Sequence, residues 1–176
     1  FIDAPVQDNK KINNKVEKSN DNNITPNINE TIKLSKISRD QSIKDSERVK
    51  IENTNIVGSL NLKGGLIDDI SFKKHKQDLK DKQNVEFLNP ADTADGFYVE
   101  TGWTSINNKI KVPTKSTKWT VKGNNILSNN KPIVLQWNNG QGILFTKKIN
   151  LDDKFLFKIT QEVKNNSKET IDLYPY

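Results

Sequence analysis

The sequence predicts an all-β domain, an antiparallel β-sandwich that follows a polar arm. Three observations support this prediction. From residue 49 onward, apolar side chains alternate with polar ones, as they do in strands with one buried face. Clusters of Asn, Gly and Asp separate these runs at short intervals. No segment sustains the period of 3.6 residues that an amphipathic helix requires.

Residues 1–48 differ from the rest of the chain in composition. Phe1 is the only aromatic residue among them, and Lys, Asn, Ser and Asp predominate. Because few apolar groups are present to offset the entropy cost of ordering the backbone, we expect residues 1–48 to form a disordered linker. Residues 49–176 then form one domain. The spacing of four apolar residues leaves a short, weak helix or strand open as an alternative at residues 29–43.

Gly64-Gly65 predicts the first hairpin of the domain. Two adjacent glycines between alternating runs are a strong signal for a tight turn, because glycine adopts positive φ without steric cost. The apolar residues that alternate on the two sides of this turn are Val57, Leu60 and Leu62 before it, and Leu66, Ile70 and Phe72 after it.

Seven further strands follow from the same pattern. They are predicted at residues 85–88, 97–103, 118–123, 132–140, 142–151, 154–165 and 170–176. The strand predicted at 154–165 has the clearest alternation. The side chains predicted on its buried face are Phe155, Phe157, Ile159, Gln161 and Val163. We expect the last strand to pair with it through the turn NNSKE.

The composition argues against several classes of function. The chain has no cysteine, so it has no disulfide or thiolate metal site, and its single histidine, His75, cannot by itself form a histidine metal site. The net charge is +6, but charges of both signs alternate along the chain, which does not favour nucleic-acid binding. No P-loop, dinucleotide fingerprint or nucleophile elbow is present, so we expect no cofactor and no metal.

The three tryptophans, Trp103, Trp119 and Trp137, are candidates for stacking on a sugar. The flat face and polar edge of Trp suit a pyranose ring. A tryptophan in a strand is more often part of the core, and we favour that interpretation here.

Carboxylates are abundant near predicted turns, where a pair of them could serve a glycosidase. Aspartate at the start of a turn more often caps local backbone groups, so we interpret these acids as turn residues. Those considered are Asp68, Asp69, Asp92, Asp95, Glu100, Asp152 and Asp153. His75 lies at the charged end of a predicted strand, where a solvated surface role is favoured over that of a base.

Several segments, in order, resemble the periplasmic domain of the YidC family of bacterial inner-membrane protein insertases, especially its alphaproteobacterial members. The resemblance covers roughly residues 50–176. It rests on GSLNLKGGLIDDISFKKH, FLNP, FYVETGWTS, WTVKG, the run at residues 137–167 and the closing LYPY. Residues 1–48 share no motif with the family and resemble it only in general character, as a variable polar linker that follows a membrane segment.

This resemblance implies a β-supersandwich, similar to sugar-mutarotase and carbohydrate-binding folds, in the periplasm. It implies a non-catalytic domain without a cofactor, because insertion in this family depends on a later transmembrane core. A mutarotase needs a carboxylate base and a histidine acid, which the lone His75 does not provide. A carbohydrate-binding module or aldose-epimerase-like domain is the alternative. We also expect the C-terminal part of the domain to be missing from residues 49–176.

The expected partners are Sec translocase subunits, the insertase's own transmembrane core and, through the full-length inner-membrane protein, nascent membrane proteins. We expect the contact surface to lie at the C-terminal edge, because tyrosine offers apolar area with a polar tip. The alternative is that the two tyrosines only complete the core. The candidate contact residues are Lys168, Glu169, Asp172, Tyr174 and Tyr176.

Overall fold

The computed structural model describes residues 37–78, 80, 82–106 and 109–176. These residues form one short helix and a series of strands. In chain order the elements are α1 (Arg39–Lys44), β1 (Arg48–Glu52), β2 (Ile56–Asn61), β3 (Leu66–Lys76), β4 (Asn84–Leu88), β5 (Trp103–Thr104), β6 (Thr120–Lys122), β7 (Ile126–Leu127), β8 (Ile133–Asn138), β9 (Ile143–Leu151), β10 (Phe157–Asn165) and β11 (Tyr174–Pro175).

The strands form two larger sheets and a two-stranded ribbon. The first sheet has the order β4-β3-β2-β1-β7, the second has the order β10-β9-β8-β6, and β11 pairs with β5 in the ribbon. The contact between β1 and β7 is parallel, while the other strand pairs are antiparallel. The prediction of an all-β sandwich is confirmed.

The core lies between the two larger sheets. Alternation along β9 is strict, so every second side chain of this strand is buried. Trp103, Trp119 and Phe145 pack together in the core, with the Trp103 ring 5.1 Å from that of Phe145. The buried aliphatic residues of the core are Val49, Ile51, Ile56, Leu60, Leu62, Ile67, Ile70, Leu88, Leu127, Ile133, Leu135, Ile143, Ile149 and Leu151.

The hairpin predicted around Gly64-Gly65 is present. β2 and β3 pair in antiparallel fashion, with Asn61 opposite Leu66. Gly64 and Gly65 have φ angles of 80° and 66°, in the left-handed region that favours glycine. The two glycines therefore supply the backbone conformation that reverses the chain here.

Helix α1 lies within residues 1–48, which the sequence analysis assigned to the linker. Ser38 caps the helix by accepting a hydrogen bond of 3.3 Å from the backbone N–H of Gln41. Arg39 pairs with Asp69 in β3, and this contact fixes the helix on the first sheet. Partners this distant in sequence leave no periodic signal along the chain. Residues 1–36 lie outside the described residues.

Two strand predictions need correction. Residues 97–103 do not form a continuous strand, since Phe97 and Val99 make only isolated bridges before β5 begins. The last strand does not pair with β10 through the NNSKE turn. β11 pairs instead with β5, with Tyr174 opposite Thr104. Hydrophobic alternation identifies a strand but not its partner, because pairing is decided by long-range packing.

The burial predicted for the strand at 154–165 is correct only in part. β10 begins at Phe157, and Phe155 lies in the preceding turn with half of its surface exposed. Asp152 shapes this turn, because its carboxylate accepts hydrogen bonds from the backbone N–H groups of Lys154 and Leu156. Phe157, Ile159, Gln161 and Val163 are partly buried, as expected for one face of an edge strand.

Candidate partner-binding surface

The ribbon of β5 and β11 carries Tyr174 and leads into Tyr176. Tyr176 extends the ribbon by one pair, since its N–H donates to the carbonyl of Gly102 at 3.0 Å and its carbonyl accepts from the Gly102 N–H at 2.9 Å. The Tyr176 ring lies directly over Gly102, where an added Cβ would come within 2.6 Å of the phenol oxygen. Tyr174 and Tyr176 each remain 50% exposed.

The phenol of Tyr176 lies beside a carboxylate. Its hydroxyl donates to Oε1 of Glu100 at 3.3 Å. Partial burial, together with the negative charge of Glu100, raises the pKa of Tyr176 above its usual value of 10.0. Tyr176 therefore stays protonated at neutral pH and presents a hydrogen-bond donor beside an apolar ring.

A groove of about 580 Å³ lies next to the ribbon, between β10 and the segment that leads to β11. Asn165 and Ser167 shape one end of it, because the Asn165 side chain donates to the carbonyl of Glu169 at 2.8 Å and accepts from the Ser167 N–H at 2.9 Å. The groove has a mixed lining. Its apolar residues are Trp103, Val163, Ile171, Leu173 and Pro175.

The structure brings most of the predicted contact residues together at this edge. Lys168 and Glu169 line the groove. Asp172 is exposed on the same segment, and Tyr174 and Tyr176 follow on the ribbon. The groove and its apolar lining could not be predicted from the sequence, because they depend on the pairing of β11 with β5.

Lys147 is a buried lysine next to the ribbon that was not among the predicted site residues. Its ammonium group is buried, donates to the carbonyl of Thr101 at 2.5 Å and lies 4.9 Å from the centre of the Trp119 ring. Burial lowers the pKa of Lys147 from 10.5 to about 8, and the carboxylate of Glu100 opposes this shift. The signal was available, because Lys147 is in phase with the other inward residues of β9, which are Ile143, Phe145, Ile149 and Leu151.

The prediction that Asp68 and Asp69 are turn residues is wrong. Both are buried in β3, where Asp68 pairs with Arg48 and Asp69 pairs with Arg39. Ser59 also donates to Asp69, at 2.5 Å. Burial raises the pKa of Asp68 above its usual 3.8, while Arg48 acts against this shift. Asp68 is thus paired with an arginine of β1 and Asp69 with an arginine of α1, and the sequence around the two acids gave no indication of either pair.

Comparison with known proteins shows the family. A model of the YidC periplasmic domain matches residues 48–176. The chain belongs to the YidC periplasmic domain family. The matched region begins at the first residue of β1 and includes the ribbon and the groove.

Three relatives named "Membrane protein insertase YidC" show the extent of the similarity. The Pelagibacter ubique protein is 39% identical over 173 residues, 98% of this chain and 30% of the relative. The protein from Methylorubrum extorquens is 37% identical over 80% of the chain and 23% of the relative. The Bradyrhizobium diazoefficiens protein has the same identity and coverage. The chain thus spans under a third of the length of these YidC relatives.

The tryptophans of this YidC family member are mostly internal. Trp103 and Trp119 are 4% and 1% exposed, so neither ring is free to stack on a sugar. Trp137 is partly buried and packs on Phe145 with 5.7 Å between ring centres. His75 is exposed at the end of β3 and lies against Phe72.

The remaining carboxylates in this YidC periplasmic domain do not form a metal site. Across residues 37–176, apart from the four that are not described, no three His, Asp or Glu side chains converge as ligands. Within the same residues, no helix has the length and apolarity needed to cross a bilayer. Asp152 stabilises a turn, as predicted, while Asp95 is exposed in the loop before Phe97.

Proposed function

We propose that this domain is the non-catalytic periplasmic part of a membrane protein insertase anchored in the bacterial inner membrane. It assists the insertion and folding of inner-membrane proteins by offering an interaction surface to the Sec translocase. Membership of the YidC periplasmic domain family supports this proposal, as do relatives that carry the name membrane protein insertase. Nascent membrane proteins are then handled by the full-length protein.

The observation that carries the proposal is the exposure of Tyr174 and Tyr176 at the paired ribbon of β5 and β11. Tyrosine is enriched in protein interfaces, because it brings a large contact area and loses little conformational entropy. Backbone hydrogen bonds to Gly102 and packing on its Cα hold Tyr176 before any partner arrives. A side chain that is already ordered reduces the entropy cost of binding.

The groove supports the same surface. Its apolar lining offers area for an apolar side chain of a partner, and Lys168 and Glu169 supply charge at its rim. Protein interfaces commonly combine an apolar centre with a polar rim. Lys168, Glu169 and Asp172 are exposed, so a partner can reach them without disrupting the core.

A carbohydrate-binding or aldose-epimerase-like role is less well supported. Such a site needs an exposed aromatic platform, or a carboxylate and a histidine held together. Two of the three tryptophans are in the core, and Asp68 and Asp69 are paired with arginines. His75 contacts the ring of Phe72 and is far along β3 from these acids.

Site-directed crosslinking in the full-length protein tests the proposal. The present chain has no cysteine, so a cysteine introduced here in a cysteine-free full-length protein is a unique probe. Lys168, Glu169 and Asp172 are replaced singly by Cys and crosslinked in membranes. We expect capture of a translocase subunit from these positions. Capture of the insertase's own transmembrane core is the second outcome that assigns the surface to a protein contact.

Lys111 and Lys122 provide matched controls, because both are exposed lysines outside the groove. The proposal predicts little or no specific product from Cys at these positions. Equal yields at all five positions would contradict it, since collisional crosslinking does not depend on a particular surface.

A further inference from the structure

Residues 37–46 lie on the outer face of the first sheet, with α1 at their centre; we call them the N-terminal clasp. Ile70 of β3 belongs to the core, so its neighbours Asp69 and Ser71 point to the opposite face of the sheet. Arg39 reaches both of them, because its guanidinium pairs with Asp69 and donates to the hydroxyl of Ser71 at 3.3 Å. The clasp therefore contacts β3 from the side away from the core.

Two further contacts attach the clasp to the loop between β4 and β5. Ile37 forms a parallel bridge with Thr93. Ser42, in the middle of α1, is only 4% exposed, and its hydroxyl donates to Oδ1 of Asp92 at 2.5 Å. The clasp is thus fastened at its first residue and in its helix, on a strand and on a loop that are distant from it in sequence.

The forces that hold the clasp are polar. α1 has six residues, and isolated helices shorter than about 12–15 residues are marginal in water. Ile43 is the one apolar residue of α1, and it is only partly buried. Neither helix propensity nor an apolar face can therefore account for α1, which depends on the contacts of Arg39 and Ser42.

The clasp can leave the sheet without unfolding the sandwich. The Asp69 side chain is 9% exposed, and beside Arg39 it has a second donor, the hydroxyl of Ser59, at 2.5 Å. When Arg39 departs, its own charge enters water and water reaches the Asp69 carboxylate, which keeps its bond to Ser59. No charge is then left in the core, so the cost of opening stays local.

The clasp belongs to the part of the chain that resembles the relatives from Methylorubrum extorquens and Bradyrhizobium diazoefficiens. A continuous match over 80% of the 176 residues omits one fifth of them, about 35 residues. Since α1 begins at residue 39, such a match includes it whichever end of the chain it reaches. The model of the family begins later, at residue 48.

We propose that the N-terminal clasp opens and closes independently of the sandwich and sets the point at which the preceding chain joins the folded domain. When the clasp is closed, this junction is at residue 37, beside the loop between β4 and β5. When it is open, the junction moves to residue 47, next to β1. Opening thus adds about ten residues, or up to about 35 Å of extended chain. This role does not depend on the translocase contact proposed above, which uses the C-terminal edge.

The distance between two nitroxide labels reports whether the clasp is closed. The chain has no cysteine, so Cys in place of Lys44 and of Lys148 gives two unique attachment points. Lys44 is exposed on α1, and Lys148 is exposed on β9 of the second sheet. We expect a narrow distance distribution in the full chain that is otherwise unaltered. In Arg39→Gln the distribution should become broad, because α1 loses its pair with Asp69.

Lys50→Gln is the matched control. It also removes one cation from an ion pair, but this pair, with Glu52, is exposed and lies outside the clasp. Its distance distribution should remain narrow. A distribution in Arg39→Gln that is as narrow as that of the control overturns the proposal. So does loss of the native fluorescence of the buried Trp103 and Trp119 in Arg39→Gln, since opening would then require the sandwich to unfold.

Hydrogen exchange measures the same opening without labels. The N–H of Ser42 donates to the carbonyl of Ser38, and the N–H of Asp45 donates to that of Gln41, each at 3.0 Å. Arg39→Gln should speed the exchange of these two amides roughly tenfold or more and leave the amides of β9 unchanged. Ser42→Ala, which removes the contact with Asp92, should act in the same direction. Equal acceleration in α1 and β9 would contradict an independent clasp.

Discussion

The ammonium group of Lys147 donates a hydrogen bond of 2.5 Å to the carbonyl oxygen of Thr101. Lys147 is in the middle of β9, and Thr101 leads directly into the ribbon. Gln161 of β10 makes a parallel contact, since its side chain donates to the carbonyl of Gly102 at 2.7 Å. The second sheet thus holds the start of the ribbon through two side chains from neighbouring strands.

The lowered pKa of Lys147 predicts how stability depends on pH. Between pH 8 and 10.5 the folded chain holds fewer protons on this lysine than the unfolded chain does. The free energy of unfolding therefore rises with pH in this window, and the gain is lost as pH falls through 8. The shift corresponds to about 3 kcal/mol. Urea unfolding at several pH values should show this rise in the native protein and not in Lys147→Met.

Lys148→Met is the control for this measurement. Lys148 is the next residue on β9 and is exposed, so its removal should leave the pH dependence intact. The interpretation of Lys147 is wrong if both methionine variants retain the same slope.

The pair of Asp68 and Arg48 predicts a large loss of stability when one partner is removed. Their side chains are only 1% and 6% exposed. In Asp68→Ala the guanidinium of Arg48 stays buried without a counter-charge, which typically costs about 3–5 kcal/mol. Glu47→Ala breaks the exposed pair with Lys118 and should cost less than about 1 kcal/mol. Similar losses in the two variants, measured by chemical denaturation, would contradict this account of the buried pair.

The parts of the fold that depend on short local sequence patterns could be predicted from the sequence. The glycines at 64 and 65 need positive φ, and they identified the β2–β3 hairpin. Strict alternation identified β9 to within one residue of its observed start. The side-chain period of two is a property of the strand itself, so it can be read without knowledge of its partner.

Features that depend on distant residues could not be read in the same way. Asp69 lies in a strand pattern, but its partner, Arg39, lies 30 residues earlier. The pairing of Tyr174 with Thr104 spans most of the domain, so the position of the tyrosines beside the groove required the structure. Their exposure was foreseen only as one of two alternatives.

The contact of Tyr176 with Gly102 predicts a coupling between these positions. In Gly102→Ala the new methyl group meets the phenol, with its Cβ only 2.6 Å from the oxygen, so the ring must leave its site. We expect a loss of about 1–2 kcal/mol in the free energy of unfolding. The Tyr176 pKa should also fall toward 10.0, since the ring leaves its partly buried site beside Glu100.

A double-mutant cycle tests whether the clash causes this loss. In a Tyr176→Ala background, Gly102→Ala should cost little, because the ring is gone. Additive losses in the double variant would mean that Ala at position 102 acts through the backbone and not through Tyr176.

The affinity of the full-length protein for the purified Sec translocase tests the central claim most directly. Tyr174→Ser removes an exposed ring without disturbing the buried core, and Lys122→Gln is a control outside the proposed surface. If Tyr174 is buried in the contact, the dissociation constant of Tyr174→Ser should be roughly tenfold higher than that of Lys122→Gln. Equal affinities of the two variants, with the domain still folded, would contradict the assignment of this surface to the translocase.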